Sequence, residues 1–230
     1  MFLGHIGVAL AAKRVAPAAS AGALVAAAML IDLVWPLLLL LGIERVEIVP
    51  GLTAVNPLRF THYPVTHSLL AVLGWALLAG ALYLALRRLR RAALVVGALV
   101  ASHWVLDLLT HIPDLPLWPG SSPRLGLGLW NSLPATIALE GSIFAAGIGL
   151  YLHATRATDR TGSIAFWSFA ALLVAIYAAT LAGPPPPDTR TIAYSALTLW
   201  ILPFWAHWFD RHRAPSGLSP QAATAQNVPA

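Results

Sequence analysis

Three carboxylates, Asp32, Asp107 and Glu140, stand in stretches otherwise built of Leu, Ala, Val and Ile, and histidines accompany them. His103, Asp107 and His111 follow i, i+4, i+8 spacing, which stacks them on one stripe of a helix with neighbours about 6 Å apart. His67 lies in Thr66-His67-Ser68 and His5 in Gly4-His5-Ile6-Gly7. Imidazole nitrogen and carboxylate oxygen together are the donors of a thiol-free site for Zn²⁺, with Mn²⁺ or Fe²⁺ as alternatives. The chain has no cysteine, which excludes disulfides, thiolate catalysis and Cys-based zinc or iron–sulfur centres. Glu140 and Asp114 are placed to act as general base or as partner to a ligand. Arg59 and Arg124 are the outer-loop cations suited to an anionic headgroup. Ser68 and Ser102 lack the setting of an activated nucleophile.

The elements that hold these residues are membrane spans. The chain is 58% hydrophobic and 10% charged, with mean hydropathy +0.74, whereas a soluble domain carries roughly 25% charged residues. Six runs, 18–42, 65–86, 92–112, 133–152, 163–183 and 191–209, have about the 20 residues a bilayer requires. The expected fold is all-α, a polytopic transmembrane bundle over residues 1–213, followed by a disordered tail at 214–230. The run Ala18–Leu41 is too long for a cleaved signal and contains Asp32, so it reads as a retained span. Phe2–Ala12 is too short to cross by itself.

The cations set the orientation. With both termini cytoplasmic, ten of the 14 Lys and Arg fall inside, led by the Arg87-Arg88-Leu89-Arg90-Arg91 hairpin, as the positive-inside rule requires. Arg45, Arg59, Arg124 and Arg190 fall outside. The net charge of +5 therefore marks helix ends, and nucleic acid is discounted as a partner. No cation lies within a span. In this topology Asp32, His67, His103, Asp107, His111 and Glu140 share one outer layer. If Phe2–Ala12 descends to Lys13-Arg14 and the chain returns after Pro17, His5 stands about 12 Å above the turn, near the same layer.

Each acid at membrane depth costs roughly 2.5–3.5 kcal/mol on insertion scales. Without a neighbouring Lys or Arg, such a group must be protonated, hydrogen-bonded, or bound to a metal. Interhelical hydrogen bonding alone is the plainer reading, for Glu140 and His111 above all. Three local expectations accompany the layer. His67 should open its helix, where the positive end favours neutral imidazole. Pro36 should kink or break the first span, since it removes the hydrogen bond to the Asp32 carbonyl. Trp118, Trp130, Trp205 and Trp208 should form aromatic belts.

In chain order, Gly4-His5-Ile6-Gly7, Leu30-Ile31-Asp32, Thr66-His67-Ser68 and His103-x-x-x-Asp107-x-x-Thr110 resemble the LexA-binding, inner-membrane-associated metal-dependent hydrolase family over most of the first 150 residues. That family is distantly similar to zinc-dependent phospholipase C, whose all-helical site uses ordered His and Asp ligands. The resemblance implies a multi-pass protein of a bacterial-type plasma (inner) membrane. It also implies a divalent metal held by His5, Asp32, His67, His103 and Asp107. Two departures matter. Ile31-Asp32-Leu33-Val34 stands where the family has Pro-Asp-x-Asp, which removes a ligand. Pro64-Val65 stands where Arg-Gly precedes Thr-His-Ser, which removes a cation that would meet phosphate. The expected function is a membrane-embedded metal-dependent hydrolase acting on a phospholipid or lipid phosphate near the outer leaflet. A proton- or cation-coupled permease and a non-catalytic scaffold are the alternatives.

Overall fold

A computed structural model describes residues 1–216. The chain runs α1 (Leu3–Ala12), α2 (Ala21–Leu40), a hairpin of β1 (Arg45–Ile48) and β2 (Leu58–His62), α3 (Leu69–Arg87) and α4 (Arg90–Thr110). It continues through the paired β3 (Leu115–Pro116) and β4 (Arg124–Leu125), α5 (Leu133–Ala154), β5 (Thr155–Ala157), α6 (Arg160–Ala182), α7 (Thr189–Leu197), α8 (Ile201–Arg211) and β6 (Arg213–Pro215). β5 and β6 pair antiparallel, so Ala214 and Pro215, expected in the tail, belong to a strand. The rest of the expected tail, from 217 on, lies outside the described residues.

Helix starts follow from capping chemistry. Ser20, Ser68, Ser132, Asp159 and Asp188 each accept a hydrogen bond from the backbone N–H three residues on, which satisfies a donor that the helix leaves unpaired. The cap at Ser68 starts α3 four residues later than the apolar run does. His67 therefore precedes its helix rather than sitting in the first turn.

α2 to α6 are each long and apolar enough to cross a bilayer. The expected sixth span, 191–209, is not one helix: α7 and α8 meet at a 3₁₀ turn over Thr198–Trp200. Thr198 Oγ1 turns back to the Ser195 carbonyl at 2.6 Å, and Pro203 has no N–H to give the Leu199 carbonyl. Pro36, by contrast, does not break α2, which stays helical from Ala21 to Leu40.

The centre of the bundle is α1, which packs on α5, α2, α4 and α6. It leads from Met1, whose nitrogen donates to Asp107 Oδ1, down to Lys13. The turn at Lys13–Pro17, and not Met1, thus reaches the cation-rich end. The contact with α5 runs through Gly7 and Gly147: a Cβ on Gly147 would collide with the Gly7 carbonyl oxygen, and one on Gly7 would stand 2.6 Å from that of Ile143. Backbones approach this closely only where side chains are absent.

At the lower end Lys13, read as an orientation charge, is buried. Its Nζ meets Asp210 Oδ2 at 2.7 Å and the Ala19 carbonyl at 2.8 Å. Asp210 also accepts from the Ala21 N–H at 2.9 Å and the Tyr151 hydroxyl at 2.7 Å. Between this pair and the upper layer, Ile6 and Leu10 of α1 and Leu24 and Val25 of α2 are fully buried.

Gly147→Val should lower the melting temperature in detergent, by about 1–3 kcal/mol of stability for an overpacked interface. Gly149→Val, where a Cβ meets nothing within 4 Å, should leave it unchanged. Equal melting temperatures for the two variants would contradict the close α1–α5 contact.

Candidate metal centre

α4 supplies the middle of the site. His103 and Asp107, one turn apart, bury completely and face α1 and α2. His103 Nε2 lies 3.2 Å from Asp107 Oδ2 and 3.5 Å from Asp32 Oδ1 of α2. His67 Nε2 lies 3.8 Å from Asp32 Oδ1 and 3.9 Å from Asp107 Oδ2. His111 ends α4 as its C-cap in extended conformation, so it leaves the helical stripe, yet its Nε2 is 4.0 Å from Asp107 Oδ2. His5 is brought in by α1. Its ring stacks on His103 at 3.8 Å, and its Nε2 lies 3.1 Å from Asp107 Oδ1.

The far side of each ring fixes its tautomer. His103 Nδ1 is 2.8 Å from the Ala28 carbonyl, a pure acceptor, so Nδ1 carries the proton. Thr66 Oγ1 donates to Glu44 Oε2 at 2.6 Å and meets His67 Nδ1 at 2.7 Å. With the hydroxyl proton committed to Glu44, His67 Nδ1 is the donor. His111 Nδ1 donates to Asp114 Oδ1 at 2.9 Å, which also accepts from the Tyr63 hydroxyl at 2.9 Å. Burial and Asp114 hold the Tyr63 phenol well above its ordinary pKa, so it remains a donor. With Nδ1 the donor on all three rings, any lone pair they keep is on Nε2, and all three Nε2 face the two carboxylates.

Neutral imidazoles here set acceptor against acceptor, and His103 Nε2 has no hydrogen-bond partner despite complete burial. The spacing fits a cation between them. Ligand atoms 2.0–2.1 Å from a tetrahedral zinc lie roughly 3.3 Å from one another, close to the 3.2–3.9 Å separating His67 and His103 Nε2 from Asp32 and Asp107. Two overlapping sets could each hold an ion: Asp32, His67 and His103, or His5, His103 and Asp107. The partners on Nδ1 are the supports that metal-ligating histidines need.

The other expected residues divide. Asp114 is a partner to His111, not a base facing the cluster. Glu140 reaches the site but is engaged: its Oε2 accepts from the Phe2 N–H at 2.8 Å and the Gly4 N–H at 3.3 Å, capping the start of α1. Arg59 and Arg124 are not brought to the cluster. Arg59 pairs with Glu47 across the β1–β2 hairpin at 3.7 Å, half exposed. Arg124 donates to the Phe60 and Thr61 carbonyls at 3.2 and 3.0 Å, tying the two hairpins together. Trp130, expected in a belt, is buried with its ring 4.2 Å from His111. Glu44 and Tyr63 are the site residues that the sequence did not reveal. The Thr-His-Ser motif shows Thr66, but nothing local announces that an acid 22 residues earlier holds it.

A cavity of about 310 Å³ opens above the cluster, onto Asp32, His67, Asp107 and His111. Asp32 is 24% exposed there. No Lys or Arg lines it among the described residues.

Fold and site define a multi-pass inner-membrane protein with a buried histidine–aspartate cluster in one half of its bundle. The chain belongs to the YdjM inner membrane protein family, whose model matches residues 1–184. That stretch holds every residue of the cluster. No curated protein and no solved structure matches the chain.

Thr66→Val removes the hydroxyl that orients His67. If the cluster holds Zn²⁺, affinity should fall 10–100-fold, the usual effect of losing such a support, and the melting temperature should drop as well, because Glu44 and His67 Nδ1 lose a buried partner. Unchanged affinity, measured by competition against a chelating dye, would count against the assigned tautomer of His67.

Proposed function

We propose that this protein is a membrane-embedded metal-dependent hydrolase, with zinc the preferred ion and manganese or iron as alternatives. The observation that carries the reading is the convergence of His67, His103 and His111 Nε2 on Asp32 and Asp107, with every Nδ1 already committed elsewhere. Asp32, His67, His103 and Asp107 would hold an ion, and His5 and His111 stand beside them. A bound divalent ion supplies Lewis acidity toward a phosphoryl or acyl oxygen and brings the pKa of a water molecule to about 7.

The chain's own residues do the rest. Asp107 divides its oxygens: Oδ1 takes hydrogen bonds from His5 and the Met1 nitrogen, while Oδ2 faces the imidazoles. Asp32, more exposed to the cavity than Asp107, would take a proton from water or orient it. The wall of Trp35, Phe60 and Trp130 keeps bulk water away, which strengthens electrostatic interactions inside. The substrate that suits a cavity at this depth is amphipathic, a phospholipid or lipid phosphate. With Arg59 and Arg124 elsewhere, no side-chain cation meets its headgroup, and neutralisation falls to the ion. The dry layer of Ile6, Leu10, Leu24 and Val25 below the cluster favours a dead-end reaction chamber over a through-pathway for ions.

Elemental analysis after detergent purification should find close to one or two transition-metal ions per chain, lost in His103→Ala and Asp107→Ala. Protein that purifies metal-free and takes up none on reconstitution would leave the cluster as proton-bearing interhelical bonds and end the hydrolase reading. Metal-loaded protein should release a water-soluble head or phosphate from phospholipid vesicles, and EDTA should abolish the release.

A further inference from the structure

The cavity over the cluster exists because α1 is short. Ten residues make a helix about 15 Å long. The 22 and 23 residues of α5 and α6 make helices of about 33–35 Å. α1 therefore fills only the lower half of the space it shares with them. The cavity lies over the start of α1, with Met1 and Phe2 in its lining, and is bordered on one side by α6 and α7. α6 packs against α8 toward the cation-rich end but does not pack closely on α7. The outer halves of α6 and α7 are the walls of a gap, with Ile176 and Leu181 on one side and Ala196 and Leu199 on the other.

The gap connects inward and outward. Inward it is the cavity that reaches Asp32 and His67. Outward, through Thr180 and Ser195, it joins a groove of about 500 Å³ beneath the 51–58 loop and the Gly183–Pro186 linker. Between the polar cluster at its inner end and the hydroxyls of Thr180 and Ser195 at its outer end, the gap is walled by apolar side chains. The flanks carry exposed Val174 and Tyr194, and at this depth the medium beside them is the bilayer.

We propose that the gap between α6 and α7 is a lateral passage from the membrane, occupied by one acyl chain of an outer-leaflet phospholipid. The headgroup lies in the outer groove, at the mouth of the cavity that leads in to the cluster. As a substrate site the passage rests on the hydrolase reading, but as a lipid site it can be measured separately. Asn56, Thr180 and Ser195 are the polar contacts for the head. An uncharged or zwitterionic head suits them, because neither lining carries a Lys or Arg among the described residues.

The test uses the full chain in nanodiscs containing a phosphatidylethanolamine with a diazirine at mid-chain. After irradiation, crosslinks should concentrate on Ile176–Leu181 and Ser195–Leu199. They should fall several-fold in Ala196→Trp and in Ile176→Trp, with wild-type metal content and melting temperature retained in at least one of the two. Crosslinks spread evenly over the lipid-facing surfaces of α3 and α5, or unchanged in both variants, would overturn the passage. Focused crosslinking on a protein that binds no metal would keep the passage and discard the hydrolase. Metal-dependent hydrolysis without focused crosslinking would do the reverse.

Discussion

Imidazole nitrogens and carboxylate oxygens brought together in a low-dielectric interior need a proton or a cation between them, and this protein brings several to one place. Three imidazole nitrogens meet the oxygens of Asp32 and Asp107 with no lysine or arginine among them. The surroundings depend on keeping that arrangement. Ala28, Glu44 through Thr66, and Asp114 each hold one Nδ1 proton and so turn one Nε2 inward. The start of α3 at Ser68 frees His67 from helical geometry, and the end of α4 at His111 frees that ring likewise. Both boundaries are local backbone events whose effect is to aim a side chain.

The central helix converts this cluster into a site. α1 is held at both ends by acids from distant parts of the chain. Glu140 caps its upper N–H groups, and Asp210 takes Lys13 at its foot. Gly7 against Gly147 fixes it laterally. Held in this way, ten residues deliver His5 to the level of Asp107 and stop there. A longer helix would fill the cavity, and a looser one would let the imidazole stack drift. Access and ligand placement are thus one consequence of the same short element.

Much of the layer was legible in the sequence because it rests on depth, and depth follows from span length and cation placement. Asp32, His67, His103, Asp107, His111 and Glu140 could be put in one layer before any contact was known, and the half-helix placed His5 near it. What was not legible depends on pairing across loops. Glu44 and Tyr63 reach the site because the β1–β2 hairpin folds over it, and no periodicity reports that. Arg59 and Arg124 shared the correct side of the membrane, but side is not position, and hairpin carbonyls and Glu47 claim them. Trp130 counted as a belt residue by composition, whereas the 3₁₀ turn at Leu129–Asn131 turns it onto His111. The last apolar run read as one span because hydropathy is blind to Pro203, which lacks the N–H that the Leu199 carbonyl needs.

The two ends of the bundle make an internal comparison. At the lower end a buried carboxylate, Asp210, receives a lysine, one backbone N–H and a tyrosine hydroxyl, so its charge is answered within the chain. At the upper end Asp107 Oδ1 takes the Met1 nitrogen and His5, while Asp32 and Asp107 Oδ2 face imidazoles whose Nδ1 protons point away. This fold can bring a lysine to an acid through a ten-residue helix, as Lys13 demonstrates, yet the same helix brings a histidine to the upper one. A lysine in place of His5 would put there a group that can only donate. Histidine leaves a nitrogen that can accept, which is the property that the proposed cation would use. Of the two polar layers, only the upper one borders a cavity through which it could arrive.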